Sequence, residues 1–359
     1  MSSQPVKTQD IPPPLDASML DGLSDPVFLV DPNHVIVDYN RAAKDLLGKQ
    51  ALSARMDEFL DSEDIIGAID ETLGGTPGGR SEVFLPHPIG RYFELNIWRL
   101  PDLKSVGPAW AMLVLHDITE SKKAAQMRAD FVANVSHELR SPLSSLLGFI
   151  ETWRGPARDD PEASDRFLEI MENEAKRMTR LINDLLALSK VETDEHIRPE
   201  QLVDLSTILS QVTDILLVNA KERGIEISLE LPKKLRAVQG ESDELIQVFQ
   251  NLIGNAIHYG RENSVIRVVV KKCRLPDTKE KGVAVSVINE GEGIPAEHIP
   301  RLTERFYRVD KGRSRGMGGT GLGLAIVKHI VARHRGHLEI ESELGVETAF
   351  TVSLLSVKR

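Results

Sequence analysis

The sequence predicts a multidomain α+β chain in three consecutive parts: a small α+β module, an antiparallel helical hairpin and a layered α/β domain. Three observations predict it. Residues 26–120 hold two short apolar runs, helical stretches and three more strand-like runs. Residues 121–192 switch to apolar spacings of three and four, twice, around a break containing Gly and Pro. From about 199, amphipathic helices alternate with β-branched runs. A chain of 359 residues has room for two or three domains.

In order, residues 1–15 read as a polar, proline-rich disordered leader. "PVFLVDPNHVIVDYN" (26–40) is a hairpin around a "DPNH" turn, and "RAAKDLLG" (41–48) a short helix ended by Gly48. "GGTPGG" (74–79) is a loop; "SEVFLP", "RYFELNIWRL" and "AWAMLVLHDIT" are strands, with Trp98 and Trp110 expected in the core. One apolar stripe runs through Phe131, Val135, Leu139, Leu143, Leu146, Ile150 and Trp153. A second runs through Leu168, Met171, Ala175, Met178, Ile182 and Leu185. Each helix is longer than one partner covers, so a four-helix bundle made by two chains is expected. "LSTILSQVTDILLVNAKERG" is a helix closed by Gly224 and "IEISLEL" a strand. "SDELIQVFQNLIGNAIHYG" is a helix capped by Ser242 or Asp243 and ended at Gly260. "VIRVVVKKC", "GVAVSVINE", "HLEIES" and "ETAFTVSLL" are strands, and "GLGLAIVKHIVARHRG" a helix.

Composition excludes several classes. The net charge of −10 argues against general affinity for nucleic acid or anionic membrane. A single cysteine, Cys273, rules out an internal disulfide or a cysteine metal cluster and fits a reducing cytoplasm. No apolar run approaches the roughly 20 residues of a membrane span. The expected location is therefore cytoplasmic, with membrane association only through an anchor outside this chain or supplied by a partner.

The densest motifs lie in the last part. Asn251 and Asn255 stand four apart on one helix face, where amide oxygens can share a hard divalent cation with phosphate oxygens. "NEGEGIP" (289–295) follows a strand, and its glycines let backbone approach a flat ligand beside the Asn289 amide. "RSRGMGGTGLGLAIVKH" (313–329) runs a basic, glycine-rich loop into a helix, whose free N–H groups and dipole suit phosphate. The Walker pattern ends in Gly-Lys-Ser/Thr, which this run lacks.

These elements, with "ERFYRVD" (304–310) between them, resemble the α/β sandwich ATP-binding domain shared by sensor histidine kinases and the gyrase, Hsp90 and MutL group. The resemblance covers 199–359 and implies ATP with Mg²⁺. It implies Asn251 as an ATP-site residue, Asn255 as the Mg²⁺ ligand, and Asn289, Gly291, Gly293 and Ile294 around adenine. His258, Tyr259 and Arg308 fall on its phosphate-side positions, and Gly319, Thr320, Gly321, Leu322 and Gly323 on its lid hinge. Two positions depart from the pattern. Asn289 replaces the usual aspartate, yet an amide oxygen still accepts from the adenine amino group. His258 replaces a frequent lysine and is mostly neutral at pH 7, so its phosphate contact should be weaker.

In "FVANVSHELRSPLSSLLGF" (131–149), His137 lies between stripe residues Val135 and Leu139 and so points to solvent. A neutral imidazole is a competent nucleophile at neutral pH. Pro142 lacks an N–H and clashes with the carbonyl of Glu138, so a bend is expected just past the histidine. The stretch resembles the phosphoacceptor helix of sensor histidine kinases, within a dimerisation and phosphotransfer domain at 121–195. The resemblance implies His137 as phosphoacceptor and Glu138 as general base. Ser141 falls on the position for a phosphatase role, with Arg140 near phosphate.

Residues 16–120 resemble a PAS sensor module ("DPVFLVD", "VDYNRAA", "HDITE"). The light-sensing flavin version needs a pocket cysteine, which is absent. His34, His87 and His116 carry no haem motif and read as surface or strand residues. "TERFYRVD" with this layout is similar to the phosphate-regulon sensor kinases. The resemblance implies a homodimeric kinase whose partner is a response regulator receiver domain. A phosphatase-dominant regulator and a non-kinase ATPase of the same ATP-binding group are the alternatives.

Overall fold

The computed structural model describes residues 17–47, 53–59, 63–76, 78–86, 90–100, 110–155, 160–276, 278–309 and 319–357. The expected leader 1–15, Gly48, Pro77, His87, Asp310 and the basic half of the glycine-rich loop (311–318) lie outside the described residues. The chain divides into two compact units, Met1–Val132 and Ala133–Arg359.

In the first unit, β1 (Val27–Val30) and β2 (Ile36–Tyr39) form the expected hairpin. They are followed by α1 (Arg41–Leu47), α2 (Glu63–Leu73), β3 (Arg80–Leu85), β4 (Arg91–Leu100) and β5 (Trp110–Asp117). The antiparallel sheet has the order β2-β1-β5-β4-β3. Alternation along β4 sends Phe93, Leu95 and Ile97 into the core with Phe28, Leu113, Leu115 and Ile69. The same alternation corrects the expectation for Trp98. It falls on the outer set with Tyr92 and is 45% exposed, whereas Trp110 is buried. Asn40 ties the sheet to α1, its Oδ1 accepting from Val27 N and Ala43 N at 3.0 Å each.

His34 is also not the surface or strand residue expected. Asp31 Oδ1 accepts from Asn33 N and Val35 N, tightening the turn. His34 there adopts φ 64° and buries its ring with Nε2 2.7 Å from Asp70 Oδ1. His116 is an exposed strand residue, its Nδ1 3.0 Å from Asp25 Oδ2.

Helix α3 (Thr119–Arg154) starts in the first unit and ends in the second; α4 (Pro161–Asp194) is the return helix of the hairpin. Asp160 caps α4 by accepting from Ala163 N at 3.0 Å, with Pro161 at the first helical position. Helix α3 runs through Pro142 unbroken, as the stripe demands. Pro142, Leu181, Leu188 and Val191 are buried, while Leu143, Leu147, Ile150, Ile182 and Leu186 remain exposed in the single chain.

The rest of this unit contains β6 (Leu202–Val203), α5 (Leu205–Glu222), β7 (Glu226–Glu230), β8 (Val238–Gln239), α6 (Ser242–Tyr259), β9 (Val265–Arg274), β10 (Lys281–Glu290), α7 (Gly323–Arg333), β11 (His337–Glu343) and β12 (Glu347–Leu355). The main sheet runs β11-β12-β10-β9-β7, antiparallel except for the β7–β9 pair. Helices α5, α6 and α7 pack against it over Ile266, Val268, Val285, Val287 and Val352. The short β6–β8 pair has no signal in the periodicity. The cap of α6 differs from expectation: it is Glu241, which makes no side-chain cap bond and whose N–H donates to His334 Nε2 at 3.0 Å. Ser242 and Asp243 fall inside the first turn, where Asp243 favours the helix dipole.

Candidate active site

The C-terminal end of α6 opens onto a cavity of about 1010 Å³, at the upper end of the roughly 300–1,000 Å³ of small-ligand sites. Asn251, Asn255, His258 and Tyr259 line it together because helical spacing puts them on one face. Asn251 Nδ2 donates to Gln247 O at 3.0 Å, which directs its oxygen toward Gly323. Among the described residues no cluster of His, Cys, Asp or Glu can enclose a metal ion. An amide oxygen sharing the ion with phosphate and water is the arrangement Mg²⁺ tolerates, so Asn255 fits that role.

One end of the cavity is built for a flat group. Asn289 is buried at the end of β10, beside Gly291, Gly293, Ile294, Leu302, Thr348 and Phe350. Ile294 N donates to Ser342 Oγ at 2.8 Å, and that hydroxyl lies 2.7 Å from Thr348 Oγ1. Gly293 has φ 75°, and a Cβ there would meet Glu343 O at 2.7 Å. The turn therefore requires glycine to let backbone form this wall.

The other end is basic and glycine-lined. Gly321 has φ 73° and its carbonyl accepts from Phe306 N at 2.9 Å; a Cβ would stand 2.9 Å from Phe306 Cα. That close approach fixes the glycine run against "ERFYRVD". Gly319, Thr320, Gly321 and Gly323 line the cavity with Arg308. Leu322 does not: it is fully buried and anchors the start of α7 in the core, a correction to its expected place among the nucleotide contacts. Burial pushes His258 below the ordinary histidine range, and Arg223, Arg308 and Arg180 push it the same way. His258 is therefore neutral at pH 7, and its Nε2 is buried with no hydrogen-bond partner among the described residues.

On the hairpin, His137, Arg140 and Ser141 are exposed, and Ser141 stands one turn after His137 on the same face. Glu138 is half-buried and Arg177 Nη2 donates to its Oε2 at 3.1 Å. None of these four lines the cavity.

Sequence reasoning missed several lining residues: Arg180 and Asp184 from α4, Arg223 from the end of α5, and Tyr307. Arg223 donates to the carbonyls of Ile257 and His258, closing the end of α6. Asp184 Oδ2 accepts from Thr320 Oγ1 at 2.7 Å. No local pattern marks an arginine and an aspartate on a solvated helix face. Only their being four apart hints at a shared surface.

Comparison with known proteins matches three family models: a PAS domain over 17–76, the His Kinase A (phospho-acceptor) domain over 127–194, and the histidine kinase-, DNA gyrase B-, and HSP90-like ATPase over 240–358. The phosphate regulon sensor protein PhoR of Pseudomonas aeruginosa is 34% identical over 341 residues, covering 92% of this chain and 71% of that protein. Sensor protein kinase WalK of Staphylococcus aureus is 37% identical over 241 residues, covering 67% of this chain and 57% of that one. Among solved structures, histidine kinase ThkA in complex with response regulator protein TrrA shares the fold. Its TM-score is 0.51 at 22% identity, covering 96% of this chain and 100% of that one.

Proposed function

Because this chain belongs to the sensor histidine kinases of two-component systems, we propose a division of labour in which His137 receives the γ-phosphoryl group of ATP bound in the α6–α7 cavity. The chain is a protein-histidine kinase that uses ATP to phosphorylate itself and signals in a two-component system. Its partners are a response regulator and a second copy of the chain.

Asn289 and the glycine turn at 291–293 hold adenine. Arg308 and the glycine run at 319–323 hold the phosphates. Asn255 would hold Mg²⁺, which would neutralise phosphate charge there. A ring nitrogen of His137 attacks the γ-phosphorus. The P–N bond forms, the bond to the β–γ bridging oxygen breaks, ADP leaves, and the proton on the other ring nitrogen passes to Glu138. The phosphoryl group then moves to an aspartate of the response regulator. Ser141, one turn on, orients water for the reverse task of dephosphorylating that partner. The exposed stripe at Leu143, Leu147, Ile182 and Leu186 supports closure of a four-helix bundle by the second chain. We place the chain in the cytoplasm; no helix among the described residues is long and apolar enough to cross a membrane.

The observation that carries this reading is an exposed histidine beside a carboxylate, in the same compact unit as a glycine-walled cavity bearing two aligned asparagines. Incubation with γ-labelled ATP should give acid-labile, base-stable label that His137→Gln abolishes. Label that survives His137→Gln sinks the assignment, and steady ATP hydrolysis unaffected by it would favour a non-kinase ATPase. A 34% identity to a phosphate regulon sensor, extending over 92% of the chain, favours phosphate control. Phosphotransfer profiling against the host's response regulators tests that role.

A further inference from the structure

We propose that Arg180, on hairpin helix α4, is a phosphate-binding residue of the ATP site, so that the cavity acquires its full set of cations only while it is docked on α4. The inference rests on the ATP reading above but concerns a residue outside the ATP-binding motifs.

Four arginines line the cavity; Arg308 is already assigned to the phosphates, and two others are engaged elsewhere. Arg223 donates to carbonyls at the end of α6, from His258 at 2.6 Å and from Gly260 at 3.4 Å. Arg261 lies at the flat-ligand end, 3.4 Å from both Glu290 Oε2 and Gly345 O. Arg308 already has interactions within the protein. Arg180 has neither a hydrogen bond nor an ion pair among the described residues, and it is exposed. His258, neutral for the reasons given, adds no positive charge to this end. A bound triphosphate therefore meets Arg180 as a second cation beside Arg308, with hydrogen-bonding capacity that no described residue uses, and a guanidinium is suited to bidentate phosphate contact.

Its place on α4 is fixed by a line of contacts below it. Asp184, one turn further on, accepts from Thr320 in the glycine run at 2.7 Å. Glu192 Oε1 lies 2.7 Å from Arg305 Nη2, and Glu195 Oε2 lies 2.8 Å from His329 Nδ1. Arg333 Nε donates to Ile197 O at 3.0 Å. These contacts seat the ATP-binding part along the lower half of α4 and bring the phosphate end of the cavity beneath Arg180. Above it, Arg177 pairs with Glu138, the neighbour of His137. At a rise of about 1.5 Å per residue, Arg180 lies about 4.5 Å along the axis from Arg177. It stands between the level of the nucleotide and the level of the phosphoacceptor. A cation there neutralises charge on the γ-phosphoryl group as it leaves ADP.

The test compares nucleotide binding by the full chain, in the presence of Mg²⁺, for a non-hydrolysable ATP analogue, ADP and adenosine. Arg180→Ala should weaken the ATP analogue about tenfold or more, the effect of losing one charge-assisted hydrogen bond. ADP should lose less and adenosine nothing, and Arg180→Lys, which keeps the charge but not the bidentate fork, should recover only part of the loss. Glu192→Lys, which opposes docking without touching the cavity, should also weaken the ATP analogue with Arg180 intact. An unchanged affinity for the ATP analogue in Arg180→Ala, or an equal loss for adenosine, overturns the proposal. Full affinity in Glu192→Lys overturns the dependence on docking. Because binding is read without phosphorylation, the outcome is independent of whether His137 is the acceptor.

Discussion

Arg177 on α4 reaches across the hairpin to Glu138 on α3, Nη2 to Oε2, at 3.1 Å, and also lies 3.3 Å from Glu174 Oε1. The carboxylate beside His137 is thereby held from the opposite helix and kept partly out of water. Residues i and i+1 on a helix do not face each other, so Glu138 cannot be aimed at the imidazole by helical spacing alone. The partner helix supplies that restraint.

Glu138→Gln should therefore slow autophosphorylation by about 10²-fold or more, the scale of a lost general base, while leaving ATP affinity unchanged. Single-turnover labelling with a parallel nucleotide titration separates the two. Arg177→Ala should lower the same rate by a smaller factor, because the base is present but no longer held.

Asn255→Ala should raise the Mg²⁺ concentration needed for half-maximal ATP binding by about tenfold, the effect of losing one ligand oxygen to a charged group. Binding of ADP in the presence of a chelator should not change. A metal titration of wild type and variant reads both.

His334 makes stability depend on pH. It is buried, its Nδ1–H donates to Ile330 O at 2.8 Å, and its Nε2 accepts from Glu241 N. Both nitrogens are thus used by one neutral tautomer, and burial holds the group below the ordinary value of 6.5. Between the lowered folded value and 6.5 the unfolded chain binds the proton and the folded chain does not. Stability from this group is fully present above 6.5 and is lost as pH falls toward the folded value. His258, lowered by burial first, adds with the same sign. Urea unfolding at pH 7.5 and 5.5 should show the loss on acidification, and His334→Gln should flatten it at lower overall stability.

The exposed stripe predicts the assembly. Leu143 and Ile182 are 50% and 45% exposed in the single chain. Each is already about half covered, so a second hairpin is expected to add roughly 1 kcal/mol per residue. Leu143→Glu with Ile182→Glu should convert the dimer to a monomer by sedimentation, with helix content retained.

Much of this was legible in the sequence for local reasons. Asn251 and Asn255 share a face because a helix repeats every 3.6 residues, and Gly293 and Gly321 mark turns that only glycine fits comfortably. Continuity of α3 through Pro142 followed from apolar spacing on both sides. Expectation failed at a helix cap and at a strand phase. The cap of α6 is Glu241, whose N–H is taken by His334, 93 residues away. Trp98 is large and apolar, yet the phase of β4, set by Phe93, Leu95 and Ile97, turns it outward.

By itself the sequence determined the order of helices and strands, the glycine turns and the aligned asparagines, since each depends on residues within a few positions of one another. Tertiary structure decided what each group faces. It joined Glu138 to Arg177 across 39 positions and Asp184 to Thr320 across 136. It also brought Arg180 of the hairpin to the cavity and, through burial and nearby arginines, pushed His258 further toward its neutral form. Electrostatic environment is a property of distances in space, which the docking of α4 on the ATP-binding part fixes and no local pattern encodes.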